Sequence, residues 1–198
     1  VGPMAAMKTK QFWLLWLMCL TSTSAGLNVA SVYKQFASGK SALSGDGYQA
    51  ITGALGALFN AVGRLAWGLV IDKVGCKNSF LALSAGQALL YLFFTRLTSS
   101  KLSFTAVICA CYFLLAGNFA LAPPAIQRLF GPEHGTLIYG LVYSAFGLAA
   151  IGGSMITKQL MANFGWDGVF KVLAAISLFA TFVTSMLSPI SFYPGSSV

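Results

Sequence analysis

Residues 63–75 read GRLAWGLVIDKVG, and this stretch decides the fold. The run is apolar up to Ile71 except for Arg64, and it then ends in Asp72, Lys73 and Gly75. Arg64 lies seven residues before Ile71, about 10 Å along a helix. That is most of the way to the midplane of a hydrocarbon core about 30 Å thick. Because a charge at that depth is costly, Arg64 is a candidate functional residue.

The composition indicates a membrane protein. Of the 198 residues, 57% are hydrophobic and 8% are charged, and the mean hydropathy is +0.78. Soluble domains carry roughly 25% charged residues, so this chain cannot cover a surface that faces water. The net charge of +8 does not indicate nucleic acid, because the twelve Lys and Arg are scattered between apolar runs and form no basic face.

Six apolar runs are long enough to predict transmembrane helices, for which about 20 residues are needed. The predicted fold is therefore an all-α membrane protein with six helices. Residues 12–188 are expected to form the six-helix domain, with residues 1–11 and 189–198 outside it. Pro123 and Pro124 are expected to end or kink the fourth helix, or to lie within a helix that continues to Leu129. The six predicted spans are Phe12–Val32, Tyr48–Ile71, Ser79–Leu97, Leu102–Leu121, Thr136–Ile156 and Gly168–Leu187.

Catalytic and metal chemistry find little support in the sequence. The only histidine is His134, and the four acidic residues lie at predicted helix ends or in loops. Three of the four cysteines lie in apolar runs, as small apolar residues of membrane helices do. We therefore expect no enzyme activity, no metal site and no cofactor.

Three segments together resemble one family. Residues 10–17, KQFWLLWL, resemble the start of the seventh helix of oxalate/formate antiporter-like and monocarboxylate transporter-like members of the major facilitator superfamily. The pattern Gly68-x-x-x-Asp72-Lys73-x-Gly75 resembles the signature loop of that superfamily. Residues 129–140, LFGPEHGTLIYG, resemble the stretch between its tenth and eleventh helices.

The resemblance implies a fold of twelve helices in two halves, of which this chain is the second. It implies a cytoplasmic location for both termini and for the Asp72–Asn78 loop. The positive-inside rule does not determine this orientation, because Lys and Arg are distributed evenly between the two sides. The implied partners are the N-terminal six-helix half, the lipid bilayer and a small carboxylate. The expected location is the plasma membrane. Cys76 departs from the family pattern, which often has arginine there, so Lys77 is expected to supply the basic residue.

The candidate binding residues centre on Arg64. A guanidinium binds a carboxylate through two parallel hydrogen bonds, and the resemblance implies that Arg64 contacts the substrate anion. Asn60 lies one turn earlier and is expected either to orient Arg64, to bind substrate, or to form a hydrogen bond between helices. Asn28 ends a polar stripe that starts at Thr21 and should face other helices or a cavity. Asn118 is a weaker cavity candidate.

The fifth predicted helix contributes an aromatic stripe. Tyr139, Tyr143 and Phe146 follow helical spacing, which is typical of packing but also suits a small organic anion with a short apolar tail. The similar oxalate transporters carry a lysine where Phe146 aligns. One cation in place of two favours a monocarboxylate over a dicarboxylate. Tyr143 and Phe146 are therefore candidate binding residues.

The loop residues have an expected role in gating. The resemblance places Gly68, Asp72, Lys73 and Gly75 in a loop where an acid at a helix end pairs with a neighbouring helix terminus or base. Rocking between two states must break such a pair. The alternative is a solvated turn made by Gly75.

Two functions follow. The first is a secondary transporter of small organic anions, expected to be monocarboxylates, that works by alternating access with proton symport or anion exchange. The alternative is a truncated, non-transporting membrane protein that associates with other helices. Small residues such as Gly56 and Gly63 are expected to let helices approach closely in either case.

Overall fold

The described elements are helices. The computed structural model describes residues 1–187, except for the side chains of residues 154–156. A short 3-10 helix, Ser41–Leu43, follows the second helix. The α-helices are α1 Pro3–Met7, α2 Lys10–Ser38, α3 Asp46–Val74, α4 Cys76–Leu92, α5 Phe94–Leu97, α6 Lys101–Phe130 and α7 Gly135–Ser185.

The last helix is two helices joined at one glycine. Gly165 has φ +64° inside α7, a conformation that favours glycine because other residues carry a Cβ. We call residues 135–164 the first arm and residues 166–185 the second arm of α7. The second arm returns beside α4, where Thr181 donates a hydrogen bond to Ser84.

Hydrogen bonds between helices show that the chain crosses back and forth. Tyr48 at the start of α3 donates to the carbonyl of Lys101 at the start of α6, so these two helices run parallel. The intervening α4 and α5 must therefore cross in the opposite direction. Trp16 donates to Ser144, which places α2 beside the first arm of α7. Six crossings result, and the all-α half-fold predicted from the sequence is confirmed.

Among the described residues, five helical stretches are long and apolar enough to cross a membrane on their own. They are α2, α3, α6 and two stretches of α7, Gly135–Gly153 and Thr157–Ser185. The third predicted span, Ser79–Leu97, is divided at Phe93 into α4 and α5. The 17 residues of α4 extend about 26 Å, slightly less than the hydrocarbon core, and α5 continues the crossing.

The helices are longer than the apolar runs that predicted them. α2 continues to Ser38 and α3 to Val74, so Asp72 and Lys73 lie in the last turn of α3. The predicted loop over Asp72–Asn78 shrinks to Gly75, whose φ is +81°. The predicted break over Thr157–Asp167 is helical apart from Gly165. Polar residues beyond the hydrocarbon can continue a helix, so hydropathy does not mark the helix end.

The termini of the predicted domain behave differently. Residues 1–11 contain α1 and the start of α2, and Ala6 is fully buried in the main core cluster. They therefore pack against the helical domain. The predicted C-terminal tail, residues 189–198, lies outside the described residues.

Pro123 and Pro124 do not end α6. The helix continues through both prolines to Phe130. Continuation to Leu129, one of the predicted outcomes, is observed.

Glycines let α3 approach α6 closely. A Cβ at Gly63 would lie 2.9 Å from both the Ala116 Cβ and the Phe113 carbonyl oxygen. A Cβ at Gly56 would lie 3.1 Å from the Tyr112 ring. The packing expected of these two glycines is thus present. By contrast, Gly140, Gly147 and Gly152 on the first arm of α7 have open space around them in the described structure.

Candidate functional site

Arg64 projects from α3 onto a ring of α6. Its guanidinium carbon lies 5.2 Å from the centroid of the Phe119 ring, and the residue is exposed. Phe119 is eleven residues before Phe130, about 17 Å from that end of α6. The guanidinium is therefore held at the depth of Phe119 and does not snorkel to the helix end near Asp72.

Within the described chain, Arg64 has a cation–π contact and neither an ion pair nor a hydrogen bond. A guanidinium carries five N–H donors. Leaving them unpaired at membrane depth is costly unless water or a ligand satisfies them. The side chain is thus available to an anion.

Four aromatic side chains from two helices form a continuous series of ring contacts that begins at Phe119. Phe119 of α6 contacts Phe146 of α7, with ring centroids 5.2 Å apart. Phe146 stacks on Tyr143 at 4.5 Å with an interplanar angle of 8°, and Tyr143 contacts Tyr139 at 5.2 Å. We call Phe119, Tyr139, Tyr143 and Phe146 the aromatic cluster. The structure thus brings the predicted residues Tyr143 and Phe146 close to Arg64, through Phe119.

The side chains of Phe146, Tyr143 and Tyr139 differ in their exposure to solvent. Phe146 is 4% exposed, whereas Tyr143 is 41% exposed and Tyr139 is partly exposed. Phe146 therefore supports the wall from behind, and the tyrosines present its accessible surface. An unpaired cation beside such a wall suits a small oxyanion with an apolar part.

Asn60 forms the interhelical hydrogen bond that was one of its expected roles. Its amide nitrogen donates to the Tyr112 carbonyl of α6 at 3.0 Å. This bond, with Gly56 and Gly63, fixes the face of α3 that meets α6. Arg64 lies one turn further along the same helix.

Asn28 lies away from Arg64, in the seam between α2 and the first arm of α7. It is buried, its amide donates to the Ser24 carbonyl, and its Oδ1 accepts a hydrogen bond from Thr157. The stripe that ends at Asn28 lines a cavity of about 360 Å³ between α2 and both arms of α7. The structure therefore does not bring Asn28 together with Arg64.

Asn118 is fully buried beside Phe119 in sequence. Both polar atoms of its side chain are buried and have no hydrogen-bond partner among the described residues. Such groups are rare and need a partner such as water. Asn118 is thus a buried polar group of α6 next to Phe119 in the sequence.

Asp72, one of the predicted loop residues, forms an ion pair with Arg128 of α6. Asp72 accepts a hydrogen bond from Arg128 at 2.9 Å, and Arg128 also donates to the Ile71 carbonyl and the Cys76 sulfur. Arg128 therefore supplies the basic partner. Lys77, expected in that role, instead donates to the Ser185 carbonyl in the last turn of α7 at 2.7 Å.

The other loop residues take simpler positions. Gly75 terminates α3 and donates its N–H to the Ile71 carbonyl. Lys73 is exposed and has no ion pair within the described chain. Gly68 has open space around it.

Comparison with known proteins identifies the family. The family model described as Major Facilitator Superfamily matches residues 12–193. The chain belongs to the major facilitator superfamily. It is therefore an integral membrane protein of a transporter family.

Curated members of the superfamily are similar to most of this chain. It is 29% identical over 197 residues to the apicoplast pyruvate carrier 1 of Toxoplasma gondii, covering 96% of the chain and 36% of the carrier. It is 28% identical over 184 residues to the oxalate:formate antiporter of Oxalobacter formigenes, covering 92% and 44%. An uncharacterized transporter of the superfamily, YhjX of Escherichia coli (strain K12), is 28% identical over 150 residues, covering 74% and 36%. The chain thus spans less than half the length of these relatives.

Two residues near the candidate site of this major facilitator superfamily chain, Phe119 and Arg128, were not predicted from the sequence. Phe119 carries no pattern that separates it from other apolar residues of α6. Its distance from the end of α6 matches that of Arg64 from the end of α3, but this signal requires knowing that the two helices are parallel. Arg128 was visible as a basic residue on the same side of the membrane as Asp72, and that charge match could have suggested the pair.

Proposed function

We propose that this chain is the C-terminal half of a secondary transporter of small organic anions, preferably monocarboxylates. The observation that carries the proposal is the unpaired Arg64 guanidinium held at membrane depth against the aromatic cluster. Arg64 binds the carboxylate, while Tyr143, backed by Phe146, contacts the apolar part. The relatives named as a pyruvate carrier and an oxalate:formate antiporter support this class of substrate.

The described surface supports a partner half. The exposed face of α3 carries large apolar side chains around Arg64, among them Val62 and Leu65, and the first arm of α7 exposes Gly147 and Leu148. A face that combines an unpaired cation with apolar and small residues does not suit lipid alone. We propose that the N-terminal six-helix half covers this face and completes a cavity around Arg64, in the plasma membrane.

Alternating access then consists of rocking between the two halves. Residues 12–188 act as one half-domain, residues 1–11 end the central loop, and residues 189–198 form a cytoplasmic tail. The four acidic residues of this half all lie at or near helix ends, outside the aromatic cluster. Coupling by proton symport or by anion exchange fits this arrangement.

The test is uptake of labelled pyruvate, lactate, formate and oxalate by the full-length protein in proteoliposomes. Saturable uptake of monocarboxylates, stronger than that of oxalate, is expected. Equal accumulation in vesicles without protein would contradict the proposal.

The preference for a monocarboxylate depends on Arg64 being the one cation beside the aromatic cluster among the described residues. Phe146→Lys would place a second cation beside Tyr143 and Phe119. We expect the ratio of oxalate to monocarboxylate uptake to rise by about tenfold, equivalent to about 1.4 kcal/mol. Phe146→Leu is the matched control, because it removes the ring without adding a charge. An identical ratio in both variants would refute the one-cation explanation.

The Asp72–Arg128 pair is proposed to stabilise one state of the transporter. Both side chains are partly exposed, so the pair contributes at most about 1 kcal/mol. We expect Asp72→Asn to lower the uptake rate by up to about fivefold. The exchange Asp72→Arg with Arg128→Asp should recover part of the rate.

The control for charge removal at this end is Lys10→Gln, since Lys10 is exposed and has no ion pair within the described residues. Its uptake rate should equal that of the wild type. If the exchanged pair is no better than Asp72→Asn alone, Asp72 acts without Arg128.

A further inference from the structure

A second polar cavity opens far from Arg64. It has a volume of about 410 Å³ and lies between α2 and the first arm of α7, toward the membrane side opposite Asp72. Its polar lining consists of Ser31, Gln35, Thr157 and Lys158, and Val32 and Met161 add apolar surface. None of the described residues that line it is acidic. We call this cavity the outer groove.

Two of these side chains are free to bind a ligand. Lys158 is exposed and has no ion pair among the described residues, and the Gln35 amide has no hydrogen bond within that same part of the chain. The hydroxyls are already engaged, since Ser31 donates to the Asn28 carbonyl and Thr157 to the Asn28 side chain. The groove therefore presents an ammonium and an amide in front of a fixed polar wall.

The outer groove adjoins a further space between α2 and the first arm of α7. A smaller cavity of about 200 Å³ shares Ser31 with it and follows the seam past Asn28, Ala150 and Gly153. Lys158 lies eleven residues after Gly147, three turns or about 17 Å along one face of α7. Gly147 adjoins Phe146 and has open space around it. Gly147 and Lys158 thus lie on the same face of α7, about three turns apart.

We propose that the outer groove is a second anion site, where Lys158 and Gln35 hold the carboxylate of a substrate before it reaches Arg64 or after it leaves. The inference rests on the proposed function, because the ligand is the same small carboxylate. The Lys158 ammonium attracts an anion because no acidic side chain of the described lining competes for it. Since Gln35 is neutral, the anion is held by one charge and can dissociate again. A site at the mouth of a pathway acts mainly on the rate of encounter.

The charge of Lys158 is tested by its removal from the full-length protein in proteoliposomes. We expect Lys158→Gln to raise the KM for pyruvate by about two- to fivefold and to leave kcat nearly unchanged. The KM of the variant should also depend less on ionic strength than that of the wild type, because salt screens an exposed charge. Lys158→Arg should retain the wild-type KM.

The matched control is Lys34→Gln. Lys34 is exposed at the same end of α2 and does not line the outer groove. If Lys158→Gln and Lys34→Gln have the same KM while the wild type transports, the outer groove is not a substrate site and the proposed function stands. A wild type without carboxylate uptake would overturn both proposals.

A lipid phosphate is the other oxyanion that an ammonium near a membrane surface could bind. The same variants are therefore compared in vesicles of phosphatidylcholine and in vesicles with added phosphatidylglycerol. A rise in KM in both lipids supports the substrate site. A rise only with the anionic lipid would overturn it in favour of a headgroup site.

Discussion

Arg64→Gln is expected to lower carboxylate uptake by about a hundredfold in the full-length protein, since truncating one member of a buried charge pair costs about 2–5 kcal/mol. Glutamine keeps a hydrogen-bonding group of similar length but loses the charge and the paired donors. The cation–π contact with Phe119 would also disappear. The measurement is the initial rate of labelled uptake at equal amounts of protein in the membrane.

Arg64→Lys and Arg96→Gln complete this experiment. Lysine keeps the charge without the two-pronged geometry, so its uptake should lie between those of the wild type and Arg64→Gln. Arg96 is exposed in α5, and Arg96→Gln removes the same kind of side chain away from the aromatic cluster. Wild-type uptake is expected for Arg96→Gln. Wild-type uptake for Arg64→Gln would reduce Arg64 to a packing partner of Phe119.

Gly63→Ala is expected to destabilise the helical domain by about 1–3 kcal/mol, the usual cost of forcing extra volume into a packed interface. The new Cβ would meet the Phe113 carbonyl oxygen and the Ala116 Cβ at 2.9 Å. Since one contact is backbone, α3 must move away from α6. That shift would also displace Arg64 from Phe119. The free energy of unfolding in detergent measures the effect.

Gly47→Ala is the matched control on the same helix. Gly47 lies in the first turn of α3 and a Cβ there would meet nothing within 4 Å. Alanine should leave the stability unchanged or raise it by at most about 1 kcal/mol, because glycine loses more backbone entropy on folding. Equal stability of the two variants would show that α3 and α6 do not need a glycine at position 63.

The helices could be predicted from apolar runs, but their ends could not. Hydropathy records where hydrocarbon begins, whereas a helix ends where its hydrogen bonding ends. Asp72 and Lys73 therefore appeared to start a loop, although α3 continues through them to Val74. Glycines with positive φ, at positions 75, 131 and 165, mark three of the reversals.

Arg64 could be found from sequence because a charge inside an apolar run is rare and costly. Phe119 could not, because a phenylalanine in an apolar helix has the same pattern whether it faces lipid, core or a cation. The contact depends on the register of α3 against α6, which Gly56, Gly63 and Asn60 determine. For Asn28, the polar stripe could be predicted from the sequence but its partner could not. The Asn28 side chain accepts a hydrogen bond from Thr157 of α7 and does not reach Arg64.

The most direct test of the carboxylate site is equilibrium binding of labelled pyruvate to the purified full-length protein and to Arg64→Gln. Binding is separate from gating and coupling, so it reports on the anion sites without the rest of the transport cycle, and the comparison with Arg64→Gln isolates the site at Arg64. The proposed site predicts saturable binding to the wild type and a loss of affinity of about a hundredfold in Arg64→Gln. Equal affinity in the two proteins would contradict the assignment of Arg64 as the carboxylate ligand.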